Sequence, residues 1–210
     1  QEFPDQDAAV TAAYERFLDL VTLDKTQTIT QAGIYLKAWP QSPYRARVQL
    51  FQAQELSREN KFTEALPLWE SLLNEPQTAE WPHQEIVLEL ARTYDVLSNW
   101  PKAVVAYQAW FAEDKKRPGD SHSAKQELQV QARLAICLQN NNQPDAATDA
   151  WKAVLAQAPE GSPEQQMALE SLGLIYARGG PAQEAAAVAT FRTLLQKFPK
   201  TQLRAMAAFS

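Results

Sequence analysis

Few residues in this chain are of types that do chemistry, and their spacing keeps those few apart. His83 and His122 stand 39 residues apart with no His-x-x-x-His pair and no cysteine beside either. Neither is expected to ligate a metal, and both read as solvated residues in segments between apolar runs. Cys137 is the sole cysteine, so an internal disulfide and a thiolate metal cluster are both ruled out. It follows Ala135 on an apolar helical face and reads as buried packing rather than a nucleophile. Gly179-Gly180 is a turn, far short of a loop that cradles phosphate. Glu113 and Asp114 sit together in a charged stretch that reads as a solvated loop, not a paired acid and base. The expectation is a non-enzyme with no catalytic, metal-binding or cofactor-binding residues.

The elements around these residues are set by composition and pattern. The chain has 210 residues, 45% hydrophobic and 21% charged, with a net charge of −5. That balance offers no basic field for nucleic acid or for an anionic membrane surface. No apolar run approaches the length of a membrane span, so direct membrane insertion is not expected. Six glycines accompany 13 prolines, and the prolines fall between apolar runs, which is how helices separated by turns are punctuated. Alternating strand patterns are lacking, and the fold class is all-α. The chain opens at Gln1 without a signal peptide, which reads as a processed or trimmed product.

A longer period organises the helices. In AATDAWKAVLAQAP, Ala147, Trp151, Val154 and Pro159 stand at offsets of zero, four, seven and twelve; Ala187, Phe191, Leu194 and Pro199 repeat them. Positions i, i+4 and i+7 share one helical face. A small residue admits a neighbouring helix, the aromatic fills the next gap, and proline ends the helix. Twelve residues before each small residue lies a second helix with its own marker pair. Ala53 and Leu56 precede Ala65, Trp69 and Leu72. Ala91 and Tyr94 precede Ala103, Tyr107 and Trp110. Ala135 and Leu138 precede Ala147. Gly173 and Tyr176 precede Ala185, with the stripe displaced to Ala187, so ARGGPAQ is read as a turn lengthened by two. SRENKF, LSNW, QNNNQP and ARGGP separate the two helices of each pair, with Asn or Gly suited to left-handed geometry. Pro101, Pro144 and Pro181 suit a first helical turn. Ser42, Ser162 and Thr201 read as caps opening the next pair.

These series resemble the tetratricopeptide repeat, a helix–turn–helix unit that stacks into a right-handed superhelix. Over residues 43 to 199 the resemblance rests on the residues just quoted. A weaker first unit, AAYERFLDLV and TITQAGIYLKAWP, extends it toward the N-terminus with Pro40 closing. The expected architecture is a single domain over 1–210, with units near 5–41, 42–78, 80–119, 121–160 and 162–199. Residues 200–210 then begin a further helix, as in a fragment of a longer array. The spacings from Ala53 to Ala91, Ala135 and Gly173 are 38, 44 and 38 residues, longer than the family period, with the excess falling between units.

The resemblance also implies where a partner binds: the first helix of each unit, on the side away from the small–aromatic stripe. Carried onto this sequence, those positions are Arg47, Leu50, Gln54 and Arg58, then Glu85, Leu88, Arg92 and Asp95. Gln129, Ala132, Ile136 and Gln139 follow, then Met167, Glu170, Leu174 and Arg178. The strip mixes Arg with Glu, Asp and Gln, unlike the Lys–Asn–Arg clamp by which co-chaperone members hold acidic tails. It suits a peptide or helix of a partner protein making apolar and polar contacts. A further resemblance, in YLKAWPQSPYRARVQL and LLQKFPKTQLRAMAAF, is to repeat proteins of the bacterial envelope, the outer-membrane assembly lipoproteins and Tol–Pal coordinators. It implies a periplasmic scaffold, any membrane tether being supplied by sequence outside these residues; a cytoplasmic scaffold is the alternative. Of the six tryptophans, Trp69, Trp110 and Trp151 fall on core positions, whereas Trp39, Trp81 and Trp100 lie near helix ends. Exposed indoles there would make a glycan or peptidoglycan binder, and a structural arm of a larger protein is the third reading.

Overall fold

In a computed structural model the protein is described over residues 4–76, 81–114 and 123–201. His122 and the start of the expected sixth unit lie outside these residues. Ten α-helices and two 3₁₀ turns make up the regular structure, with no strand among the described residues. The helices are α1 (Pro4–Leu23), α2 (Thr28–Ala38), α3 (Arg45–Arg58), α4 (Phe62–Leu72) and α5 (His83–Val96). They continue with α6 (Trp100–Asp114), α7 (Ala124–Asn140), α8 (Pro144–Gln157), α9 (Pro163–Arg178) and α10 (Glu184–Lys197).

The chain divides into two compact units, residues 1–99 and 100–210. Each is built as a helical repeat, with every helix packed chiefly on its neighbours in sequence. In the first, α1 packs on α2, α2 on α3, α3 on α4 and α4 on α5. In the second, α6 to α10 do the same, and α7 also touches α9.

The repeated stripe is the core. Ala65, Trp69 and Leu72 are fully buried, as are Ala147, Trp151 and Val154, and Ala103, Tyr107 and Trp110. So are the markers Ala53, Ala91 and Ala135. Gly173 takes that marker position on α9, and a Cβ there would lie 2.5 Å from Cε1 of Phe191. The aromatic ring occupies the space a side chain would need, so the two helices close at a smaller distance. The first unit carries a different solution. Aligned through Trp39-Pro40 and Phe198-Pro199, the stripe of α2 becomes Thr28, Ala32 and Tyr35, all buried. The aromatic has moved one turn along, to Tyr35, and α1 supplies Tyr14 and Phe17 around it. Burial raises the Tyr35 hydroxyl pKa, with the Ser42 hydrogen bond acting against it.

The turns repeat as well. Asn60, Ser98 and Asn142 all adopt left-handed backbone, with φ of 60°, 58° and 55°. At each, the next N–H bonds back to a carbonyl five residues earlier: Lys61 to Leu56, Asn99 to Tyr94, Gln143 to Leu138, at 2.8, 2.8 and 3.0 Å. Three helix C-termini thus share one Schellman closure. In LSNW the left-handed residue is Ser98, not the expected asparagine. The fourth turn differs, with Gly180 at φ 75° followed by the 3₁₀ turn Pro181–Gln183, which accounts for its extra two residues.

Four local expectations are corrected. Pro67 lies inside α4 rather than between helices. Its side chain is exposed, so the ring does not disturb the buried stripe. Glu113 and Asp114 end α6 instead of forming a loop, because the apolar face runs on through Trp110. Ser162 caps α9 by accepting from the Gln165 N–H at 3.1 Å, but Ser42 acts otherwise, and the helix that Thr201 was expected to open lies outside the described residues. The Ser42 hydroxyl bonds the Tyr35 hydroxyl at 2.6 Å and accepts from the Tyr44 N–H, while Thr201 donates to Glu170 Oε1 at 2.7 Å. His83 is buried as the first residue of α5 and not solvated.

Candidate functional site

The first helix of each pair carries the positions expected to meet a partner. In the first unit these are α1, α3 and α5, and side chains join them directly. Phe17 meets Phe51 edge-to-face at 5.8 Å, and Gln54 donates to Glu85 Oε1 at 3.2 Å. Arg47, Arg58, Glu85 and Arg92 are exposed, and Leu50 and Gln54 are half-buried. Two of the cations are already matched on their own helices. Arg58 pairs with Glu55 at 2.5 Å, and Arg92 with Glu89 at 2.5 Å. With the cation on the exposed side of each pair, such i,i+3 contacts hold the guanidinium in place more than they stabilise the helix.

In the second unit α7 and α9 lie side by side. Gln129 and Arg178 are exposed, Met167 is 39% exposed, and Ile136, Gln139, Glu170 and Leu174 are half-buried. Glu170 is engaged, accepting from Gln166 Nε2 at 2.9 Å and from Thr201. Arg178 makes no ion pair among the described residues.

The structure corrects the strip at three positions. Asp95 is 3% exposed, and Leu88 and Ala132 are also buried, so none of the three offers surface to a partner. Asp95 stands four residues after its marker Ala91, and the same register elsewhere explains why it turns inward. Ser57, four after Ala53, accepts from Trp69 Nε1 at 3.0 Å; Gln139, four after Ala135, accepts from Trp151 Nε1 at 3.2 Å. At Ser57 and Gln139 this position faces the second helix and supplies a polar partner to the core aromatic. The outward register is the fifth residue, where Arg58 and Arg178 already stand and where Val96, 52% exposed, and Asn140 complete the set. Counting from the markers at constant offset would have picked those two. Phe51, 36% exposed, was missed because it reads as part of an apolar run.

Chemistry is scarce around these faces. No cluster of three or more His, Cys, Asp or Glu side chains among the described residues is arranged to hold a metal. A groove of about 600 Å³ in the second unit is lined by Gln108, Phe111, Glu127, Gln131 and Gln157 among others, with Glu127 its one carboxylate among the described residues. Cys137 is fully buried. Trp39, Trp81 and Trp100 are each half-buried, and Trp39 packs against the core of the first unit.

Residues 133–201 match the family model for the tetratricopeptide repeat. No curated protein sequence matches the chain. Among solved structures it is similar to the crystal structure of MamA protein, at 18% identity over 90% of this chain and 93% of that one, with a TM-score of 0.65. MamA from Desulfovibrio magneticus RS-1 is similar at 12% identity over 90% and 97%, with a TM-score of 0.61. The tetratricopeptide-like repeats of a putative kinesin light chain from Podosopora anserina are similar at 18% identity over 93% and 99%, with a TM-score of 0.57. Identities this low speak to the fold alone. The matched segment belongs to the tetratricopeptide-repeat family, and the chain as a whole carries that family's fold.

Proposed function

We propose that this protein is a non-catalytic scaffold that docks a peptide or helix of a partner protein along the faces of its first helices. One observation carries the reading: the first helices of both units present exposed charged side chains and exposed apolar ones, two of the cations being held by pairs on their own helix. In the first unit Phe51 and Val96 are exposed on the helices that carry Arg58, Glu85 and Arg92, and in the second Met167 and Arg178 are exposed on α9. Such a mixed surface gives apolar anchors for affinity and fixed polar groups for register. The double reversal Arg92→Glu with Arg178→Glu tests it. Partner capture should be lost while far-UV circular dichroism is unchanged, and capture of every partner at wild-type level would overturn the reading.

We further place the scaffold in the periplasm, within a bacterial envelope complex. The support is the recurrent aromatic–Pro–x–Ser/Thr corner of the sequence, seen at Trp39–Ser42 and Phe198–Thr201. In both, the aromatic N–H bonds back four residues and the Ser or Thr N–H bonds to the aromatic carbonyl, at 3.1 and 3.0 Å. No helix among the described residues is long and apolar enough to cross a membrane. Fractionation of the native host decides the location, and recovery in the cytosolic fraction alone would refute it.

A further inference from the structure

The groove of the second unit is lined by polar groups whose hydrogen-bonding capacity the fold does not use. It encloses about 600 Å³, within the range of about 300–1,000 Å³ usual for small-molecule sites. Among the described residues three helices line it. Gln108 and Phe111 come from α6, Glu127, Gln131 and Leu134 from α7, and Gln157 from the end of α8. Gln108 and Gln157 are exposed, Phe111, Glu127 and Gln131 are half-buried, and Leu134 is buried. Glu127, Gln131 and Leu134 share one face of α7, roughly half a turn round the helix from Gln129 and Ile136. The groove is therefore a different surface from the first-helix strip.

Four carboxamides elsewhere in the chain are engaged by the fold. Gln54 donates to Glu85, Gln166 donates to Glu170, Gln139 accepts from Trp151, and Gln165 accepts from the Gly161 N–H. The side chains of Gln108, Gln131, Gln157 and Glu127 make no hydrogen bond or ion pair among the described residues. Their chemistry narrows the ligand. Each carboxamide offers two donors and an acceptor oxygen, whereas a carboxylate only accepts. An anion would use the donors but meet Glu127, and no cation lines the groove among the described residues. An alkylammonium would satisfy Glu127 but has no acceptor for the amide N–H groups. The lining is used fully by a ligand that carries donors and acceptors together without net charge. A saccharide does so, since each hydroxyl both donates and accepts, and its hydroxyls ring the molecule and meet groups from three helices at once. Its C–H face suits the Phe111 ring, which Trp110 holds edge-to-face at 5.0 Å. An extended peptide also pairs donors with acceptors, but only along the two edges of its backbone.

We infer that the groove between α6, α7 and α8 is a binding site for a neutral saccharide. The carboxamides of Gln108, Gln131 and Gln157 bridge neighbouring hydroxyls, donating to one and accepting from the next. Glu127 accepts from hydroxyls in charge-assisted bonds, and Phe111 and Leu134 take the apolar face of the sugar. The helix-end indoles Trp39, Trp81 and Trp100, from which the sequence suggested glycan contact, are not among the described lining residues.

The test applies the labelled intact chain to an array of neutral, anionic and amine-bearing oligosaccharides, then titrates the strongest neutral one by thermophoresis. Neutral members should bind, and Gln108→Ala with Gln131→Ala should weaken the titrated one at least about tenfold. Glu127→Gln keeps the shape, removes the charge and should weaken it too. Circular dichroism should match wild type, because these side chains make no hydrogen bond that the fold needs. If the double variant departs from it, the exposed pair Gln108→Ala with Gln157→Ala takes its place with the same expected loss. No binding of any neutral member, a preference for anionic or amine-bearing ones, or binding indifferent to the substitutions would overturn the inference. An uncharged Ser–Ala octapeptide is titrated beside the sugar. Its binding in place of the saccharide, with the same dependence on Gln108 and Gln131, would assign the groove to a peptide and overturn the saccharide. Arg92→Glu with Arg178→Glu should leave saccharide binding unchanged, so this site and the first-helix faces stand or fall separately.

Discussion

Trp151 offers the sharpest test of the repeat. Its side chain is fully buried and its Nε1 donates to Gln139 Oε1 at 3.2 Å. An aromatic of this kind buries about 150–250 Å², and at about 25 cal/mol per Å² that is roughly 4–6 kcal/mol. Alanine keeps only a methyl group of this, and incomplete collapse of the cavity sets the measured range for such truncations at about 3–5 kcal/mol. Gln139 adds little, since it is half-buried and its oxygen can turn to water once the indole is gone. Trp151→Phe separates the two contributions, keeping most of the ring and losing the N–H, for about 1–2 kcal/mol. Urea unfolding followed by far-UV circular dichroism reads both. Trp69→Ala in the first unit should cost the same, because Trp69 is equally buried in the same register and donates to Ser57 Oγ at 3.0 Å. A loss for Trp151→Ala below about 1 kcal/mol would refute the reasoning, because no fully buried indole that fills a helix–helix gap can be removed so cheaply.

Other expectations are narrower. Gly173→Ala gains about 1 kcal/mol of helix propensity but drives a Cβ into the Phe191 ring, a clash of about 1–3 kcal/mol. A net loss is expected, and a double-mutant cycle with Phe191→Leu should show the two positions coupled; additive effects would mean the ring does not touch α9. Ser98→Gly should raise the melting temperature, because Ser98 holds φ 58° at a cost of about 1 kcal/mol that glycine avoids; a lowered melting temperature would argue against the closure described for α5. Asp24 accepts hydrogen bonds from the Thr26 hydroxyl, the Gln27 amide and the Thr26 N–H, in that order of effect, and its pKa is lowered. A folded pKa below the unfolded one gives stability present above the ordinary carboxylate range and lost as pH falls through the folded value. Asp24→Asn should therefore flatten the acid side of the stability profile, and an unchanged slope would sink the assignment.

Much of this was legible in the residues. The small–aromatic–aliphatic stripe is a one-face helical pattern, and a pattern that buries one face in every unit is written into spacing alone. Asn60 and Asn142 were readable as left-handed closures because asparagine tolerates that backbone. Ser98 was not, since serine enters that geometry only when the flanking helices impose it. The first pair was harder to read because its stripe is Thr28, Ala32 and Tyr35, in which the aromatic sits one turn late and its neighbours come from α1 and α3.

What the sequence determined by itself is the class: all-helical, repeated, punctuated, and poor in groups that catalyse. Those properties follow from local spacing and residue type, which act within one helix and its turns. What the tertiary structure decided is which side of each helix remains free. Asp95 and Val96 are adjacent in sequence, yet one is buried and the other exposed, since one residue of a helix is a turn of about 100° and carries the side chain from a packed face to a free one. Burial is a property of neighbours, and neighbours across helices are set by packing.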